Sequence, residues 1–156
     1  METTMVQPAW QNVAEVELSY KSKVKASERP RITQSKDAAD LLTNLWNNDK
    51  IDFVEEFKVL LLNRANRVLG MVEISSGGVT GTVADPKLVM VAAIKANACG
   101  IIISHNHPSG NTKPSRADEE LTQKIKLGAQ YLDIKLLDHI IITSEGYLSF
   151  ADEGLL

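Results

Sequence analysis

A single cysteine, Cys99, stands in this chain of 156 residues, so no internal disulfide can staple the fold. That usage fits a reducing cytoplasm, and Cys99, just ahead of an apolar run, is expected to pack as a small buried residue. Long apolar runs are also missing: none approaches the ~20 residues of a membrane-spanning helix, which argues against a membrane protein. The opening Met1-Glu-Thr-Thr has no basic stretch followed by an apolar one, so no secretory signal is expected. Charge of one sign is scarce as well. A net charge of −3 gives the whole chain no pull toward nucleic acid. Internal repeats and low-complexity tracts are absent. What remains is an apolar share of 44%, ordinary for a globular protein. At this length one domain is expected, burying roughly two-thirds of its unfolded surface.

The informative stretch runs from Ile101 to Asp118. Ile101-Ile-Ile103 reads as a buried strand, and it leads into His105-Asn106-His107. In an extended chain the two imidazoles at i and i+2 leave the same face, so both can reach one metal ion. Pro108, Gly110, Asn111 and Pro114 then force a loop. Ser115 and Asp118 follow at the expected start of a helix, where both can point back toward the loop. Two neutral nitrogens and a carboxylate suit a catalytic zinc ion (Zn2+) whose fourth position stays open for water. The bland reading of Ser115 and Asp118 is a capping box, and the two readings are compatible, because a cap fixes the helix that presents Asp118. The letters His-Asn-His alone do not indicate a nuclease of that name, whose residues are spread over a longer unit.

The rest of the chain supports an α/β domain. Residues 1–12 read as a tail, and Val13–Val24 alternates as a half-exposed edge strand, so 1–30 is assigned to a tail and edge strand and 31–156 to the domain proper. Lys21, Lys23, Lys25, Arg29 and Arg31 form one basic cluster. A solvated edge is the favoured reading, because only Tyr20 interleaves it, and nucleic acid is a weakly supported partner. Ser35 is expected to cap a helix that runs to Trp46, a core or interface residue, and stops at Asn47-Asn48-Asp49. Glu55–Leu62 and Val68–Ile74 read as a hairpin around Asn63–Asn66. Ser75-Ser-Gly-Gly78 lacks the Lys-Ser/Thr of a phosphate loop. Asp85-Pro86 opens a helix to about Ala98, and a further helix from Ser115 to Gln130 is expected to bury Leu121, Ile125 and Leu127. Lys135–Thr143 and Tyr147–Phe150 close the chain as strands around Glu145-Gly146. The resulting order describes a mixed sheet flanked by helices and is far short of a TIM barrel.

These residues also carry a resemblance. His-x-His, then a serine eight positions on and an aspartate three after it, resembles the JAMM (MPN+) metalloprotease signature, filled here by His105, His107, Ser115 and Asp118. His105–Asn111, Pro114–Asp118, Leu137–Ile142 and Ser149–Leu156 are similar to the bacterial RadC branch of that family, over roughly residues 30 to 156. The resemblance implies a single MPN-like (cytidine-deaminase-like) domain and a zinc metallopeptidase or isopeptidase. His105, His107 and Asp118 would bind the metal, and Ser115 would hydrogen-bond the developing oxyanion. A glutamate at the start of an earlier strand would act as general base. Glu56 matches that position best, with Glu55 as the fallback, since adjacent strand residues face opposite ways and only one can reach the site. His139 is expected to be structural. The stretch before the shared part is too short for the helix-hairpin-helix region of longer RadC chains, so a short form is expected. The substrate would be a protein or peptide of unspecified identity. The alternatives are a non-catalytic metal-binding module and a DNA-repair-associated factor.

Overall fold

The computed structural model describes residues 13–17, 19–77 and 84–156. After a 3-10 turn at Ala26–Glu28, the elements in chain order are α1 (Ser35–Leu45), β1 (Glu56–Leu62), β2 (Val68–Ser76), α2 (Pro86–Lys95), β3 (Gly100–Asn106), α3 (Arg116–Gln130), β4 (Lys135–Ile142) and β5 (Tyr147–Ser149). The strands form one mixed sheet in the order β2-β1-β3-β4-β5, in which only β3 and β4 run parallel. α3 is the crossover between those two, as a parallel pair requires.

Two apolar layers hold the sheet. β1 and β3 are buried along their whole length, because each has a strand on both sides and helices on both faces. Phe57, Val59, Leu61, Ile101 and Ile103 face α2 and α3, where Val89, Ala93, Ile125 and Ala129 meet them. Leu60, Leu62, Ile102, Ile140 and Ile142 take the opposite face, against Ala38, Ala39, Leu42 and Trp46 from α1 and its C-terminus. This division follows from the two-residue period of a strand. It also decides which polar residues at the strand ends can meet.

Local signals set most boundaries. Asp85 caps α2 by accepting from Lys87 N at 2.8 Å, with Pro86 in the first turn. Ser115 and Asp118 form a reciprocal capping box on α3. Ser35 is a correction: the cap position is Gln34, and Asp37 accepts from Thr33 N at 2.8 Å and Gln34 N at 3.2 Å. Ser35 is the first helical residue instead, and its hydroxyl reaches Asp152.

Three further expectations change. The proposed Val13–Val24 strand does not form among the described residues, where Val16 is 80% exposed. A strand needs a partner, and the first backbone pairing among the described residues is the isolated bridge of Arg31 to Arg67, just before β2. Leu18 and residues 1–12 lie outside the described residues. Cys99 is exposed rather than buried, although its backbone is held by Leu62 and Lys135. Leu127 also faces outward, and Thr122 and Ala129 join Ile125 on the buried stripe of α3. Among the described residues no helix is long and apolar enough to cross a membrane.

Candidate metal centre

The C-terminal end of β3 and the N-terminus of α3 bring three side chains together. His105 Nε2 lies 2.9 Å from His107 Nε2 and 3.3 Å from Asp118 Oδ1, and His107 Nε2 lies 3.8 Å from Asp118 Oδ2. One ligand atom from each residue falls within 4.8 Å of the others. His105 is buried, while His107 and Asp118 are each 16% exposed, so the cluster opens on one side.

The protonation of each ring follows from its partners. His107 Nδ1 contacts the Asn111 carbonyl at 2.5 Å, and a carbonyl only accepts, so the proton sits on Nδ1 and the Nε2 lone pair points inward. Gly110 makes this contact reachable: its φ of 78° turns the loop back, and its N–H donates to the His107 carbonyl at 3.0 Å. His105 Nδ1 meets His139 Nε2 at 2.8 Å, away from the cluster. Phe57 stacks on the His105 ring at 6.2 Å between centroids and Phe150 on the His139 ring at 4.4 Å, which keeps water from both. Burial pushes His105 down to about 4, against the pull of the Asp118 carboxylate, and a positive charge on His107 would add to the depression. Burial likewise holds His139 well below the usual histidine range, followed by repulsion from His105 and His107.

Asp118 is oriented by its own cap. Its Oδ2 accepts from Ser115 N and Ser115 Oγ, both at 2.7 Å, while its backbone N–H donates back to Ser115 Oγ at 3.2 Å. Oδ1 is left to face His105. The inward lone pair of His107, the Nε2 of His105 and a carboxylate oxygen thus converge on one point. That is the arrangement a cation stabilises, and these three residues could hold a metal ion.

A family model of the RadC-like JAB domain matches residues 32–155. The chain belongs to that family. The mixed sheet and three α-helices of the described residues fit a single MPN-like domain, as the resemblance implied. A UPF0758 protein of Flavobacterium johnsoniae is 44% identical over 125 residues, covering 80% of this chain and 53% of that protein. One from Porphyromonas gingivalis is 48% identical over 103 residues, 65% of this chain and 45% of its own length. The chain spans about half the length of the curated relatives it matches.

Within this RadC-like JAB domain, Glu56 is not brought to the triad. Antiparallel pairing sets Phe57 opposite His105, so those two share a face and Glu56 points to the other. There its Oε2 lies 3.0 Å from Lys58 Nζ and its Oε1 3.5 Å from Lys50 Nζ. Lys58 in turn sits 4.4 Å over the Trp46 ring. Glu55, half-buried just before β1, has the parity of Phe57 and His105. Three residues were given no part in the chemistry from the sequence. Asn106 ties the end of β3 to the entry of β1: Oδ1 accepts from Glu56 N, and Nδ2 donates to the Ile51 and Val54 carbonyls. His139, expected to be structural, contacts a triad residue directly, and Thr122 contacts His139 at 2.6 Å. Their signals were faint: a histidine inside an isoleucine strand, and a threonine one turn after Asp118 on an apolar stripe.

Proposed function

We propose that this chain is a zinc-dependent hydrolase of peptide or isopeptide bonds in a protein or peptide substrate. The observation that carries the reading is the convergence of His105 Nε2, His107 Nε2 and an Asp118 carboxylate oxygen, with the His107 lone pair turned inward. His105 Nε2 lies 2.9 Å from His107 Nε2 and 3.3 Å from Asp118 Oδ1, and the three ligand atoms lie within 4.8 Å of one another, close enough for one ion to be held by all three. The donor set, two neutral nitrogens and one carboxylate, is that of a catalytic rather than a closed structural site. Membership in the RadC-like JAB domain family supports the same chemistry.

When bound, the ion supplies Lewis acidity that makes water nucleophilic near neutral pH. The side chains do the rest. Glu55 accepts the proton of the attacking water and returns it to the leaving amine, a role its parity supports and that of Glu56 does not. Ser115 N–H holds Asp118 Oδ2 even when the hydroxyl turns away, which frees Ser115 Oγ to donate to the developing oxyanion. Phe57 and Phe150 keep the histidine side of the site dry. A DNA-binding role has less support. Lys21, Lys23 and Lys25 are exposed, but the one aromatic beside them, Tyr20, donates its hydroxyl to the Leu69 carbonyl at 2.7 Å.

The test begins with elemental analysis of protein purified without chelator. About one zinc per chain is expected for wild type and a loss of at least ten-fold for His107→Ala. Wild type that stays metal-free after zinc is supplied would sink the reading. With zinc present, Glu55→Gln should keep the metal and lose hydrolysis of a peptide library. Equal turnover by that variant would remove Glu55 from the mechanism, and no turnover by any form would leave a metal-holding interaction module as the better account.

A further inference from the structure

His139 and Thr122 are fully buried polar side chains in the middle of an apolar layer, and the hydrolytic chemistry above uses neither. Their hydrogen bonds can nevertheless be given directions. Thr122 Oγ1 lies 2.6 Å from the Asp118 carbonyl oxygen. Two oxygens that close share a proton, and a carbonyl has none to give, so the threonine hydroxyl donates there. Its single proton is then spent. Toward His139 Nδ1, at 2.6 Å, Thr122 can only accept, so His139 carries its proton on Nδ1. His139 Nε2 is therefore an acceptor, and the 2.8 Å contact to His105 requires His105 to donate from Nδ1. His105 Nε2, the atom facing His107 and Asp118, is left with a bare lone pair.

We infer that Thr122 and His139 are positioning residues that fix His105 as its Nδ1–H tautomer and so hold its Nε2 lone pair ready for a cation. This rests on the metal-site reading for its consequence but not for its geometry, which lies within the chain itself. The relay is polar end to end, and the reversed set of bonds is its natural competitor. In that set Thr122 would donate to His139 Nδ1, His139 to His105 Nδ1, and His105 would carry its proton on Nε2, the wrong place for ligation. The Asp118 carbonyl selects the first set by capturing the threonine proton. It does so from the helix that also presents the Asp118 carboxylate, one turn earlier than Thr122, so a single element sets the carboxylate and the tautomer together. The register of β3 against β4, with Ile103 beside His139 and His105 beside Ile141, brings the two imidazoles to one face of the sheet.

Thr122→Val keeps the shape and removes the acceptor, which deprives His139 of its reason to hold a proton on Nδ1. Thr122→Ser keeps the hydroxyl and serves as the rescue. The measurement is long-range proton–nitrogen NMR of the histidine rings in metal-free protein, which reads the tautomer directly, together with zinc affinity by competition against a chromophoric chelator. Wild type and Thr122→Ser should show His105 and His139 both protonated on Nδ1. Thr122→Val should shift His105 toward Nε2–H and weaken zinc binding by about 10- to 100-fold. Wild type with His105 protonated on Nε2 would overturn the inference before any variant is made, so it does not depend on Thr122→Val folding. A Thr122→Val protein that loses affinity with the tautomer unchanged would overturn it too, since that is mere loosening. Tautomers that behave as expected in a wild type that binds no zinc would sink the metal-site reading and leave the relay standing.

Discussion

At the residue scale the decisive fact is that adjacent glutamates take opposite parities of one strand. Glu55 shares the parity of Phe57 and His105, while Glu56 lies under the other face in a buried ion pair with Lys58. A buried pair is not strongly stabilising relative to an apolar one, because both ions give up water, but removing one partner strands the other. Glu56→Ala should therefore leave Lys58 with Glu73, 3.7 Å away and 46% exposed, and the Trp46 ring as its remaining company. A loss of about 3 kcal/mol in urea unfolding is expected, with the zinc content of the native protein unchanged. A variant that kept its stability and lost its metal would place Glu56 at the site after all. Strand parity was legible in the sequence, and so was the conclusion that only one glutamate could face the histidine cluster. Phase was not, because it is set by the pairing of Phe57 with His105, a contact between residues nearly fifty positions apart.

At the scale of elements, what could be read locally was what is held together locally. Asp85-Pro86, the Ser115–Asp118 box and the isoleucine run each carry their cause within a few residues, and each element starts close to where that cause puts it. The Val13–Val24 alternation had the right period but no strand to pair with among the described residues, and a period without a partner does not make a strand. His139 was expected to be structural and Thr122 carried no expectation, because their contacts exist only after α3 has crossed from β3 to β4. Asn106 belongs to the same class. Its amide satisfies one backbone donor and two backbone acceptors where β1 begins, at 2.7 to 2.9 Å. Asn106→Leu fits the apolar surroundings but leaves those three groups without a partner, at about 1–3 kcal/mol for each that water cannot reach. Hydrogen exchange should show the difference as faster opening of 51–57 than of β4. Uniform destabilisation across the sheet would mean that Asn106 acts through packing instead.

At the scale of the whole molecule, two histidines buried in the neutral form make stability depend on pH. In metal-free protein His105 stays neutral down to about 4, and His139 is held well below the usual histidine range, both because burial disfavours the charged ring. An unfolded chain takes up a proton on each near 6.5. Between those limits the unfolded state binds more protons than the folded one, so stability rises with pH and is lost as pH falls from 6.5 toward 4. Each histidine contributes a slope of up to about 1.4 kcal/mol per pH unit across the window. Two other shifted carboxyls keep clear of this signature or oppose it. Asp37, held down to about 2 by hydrogen bonds from Thr33 and Gln34, acts at lower pH. Asp138, raised by burial despite its bonds to Ser149, Ala151 and His139, works in the opposite direction near the lower end. Urea unfolding of chelator-treated protein at steps from pH 7 to pH 5 should therefore show a steady loss of stability. His139→Phe, which keeps a ring against Phe150, should roughly halve the slope. A variant slope equal to wild type would mean that His139 is not held neutral by the fold, and the dry wall around the relay would have to be reconsidered.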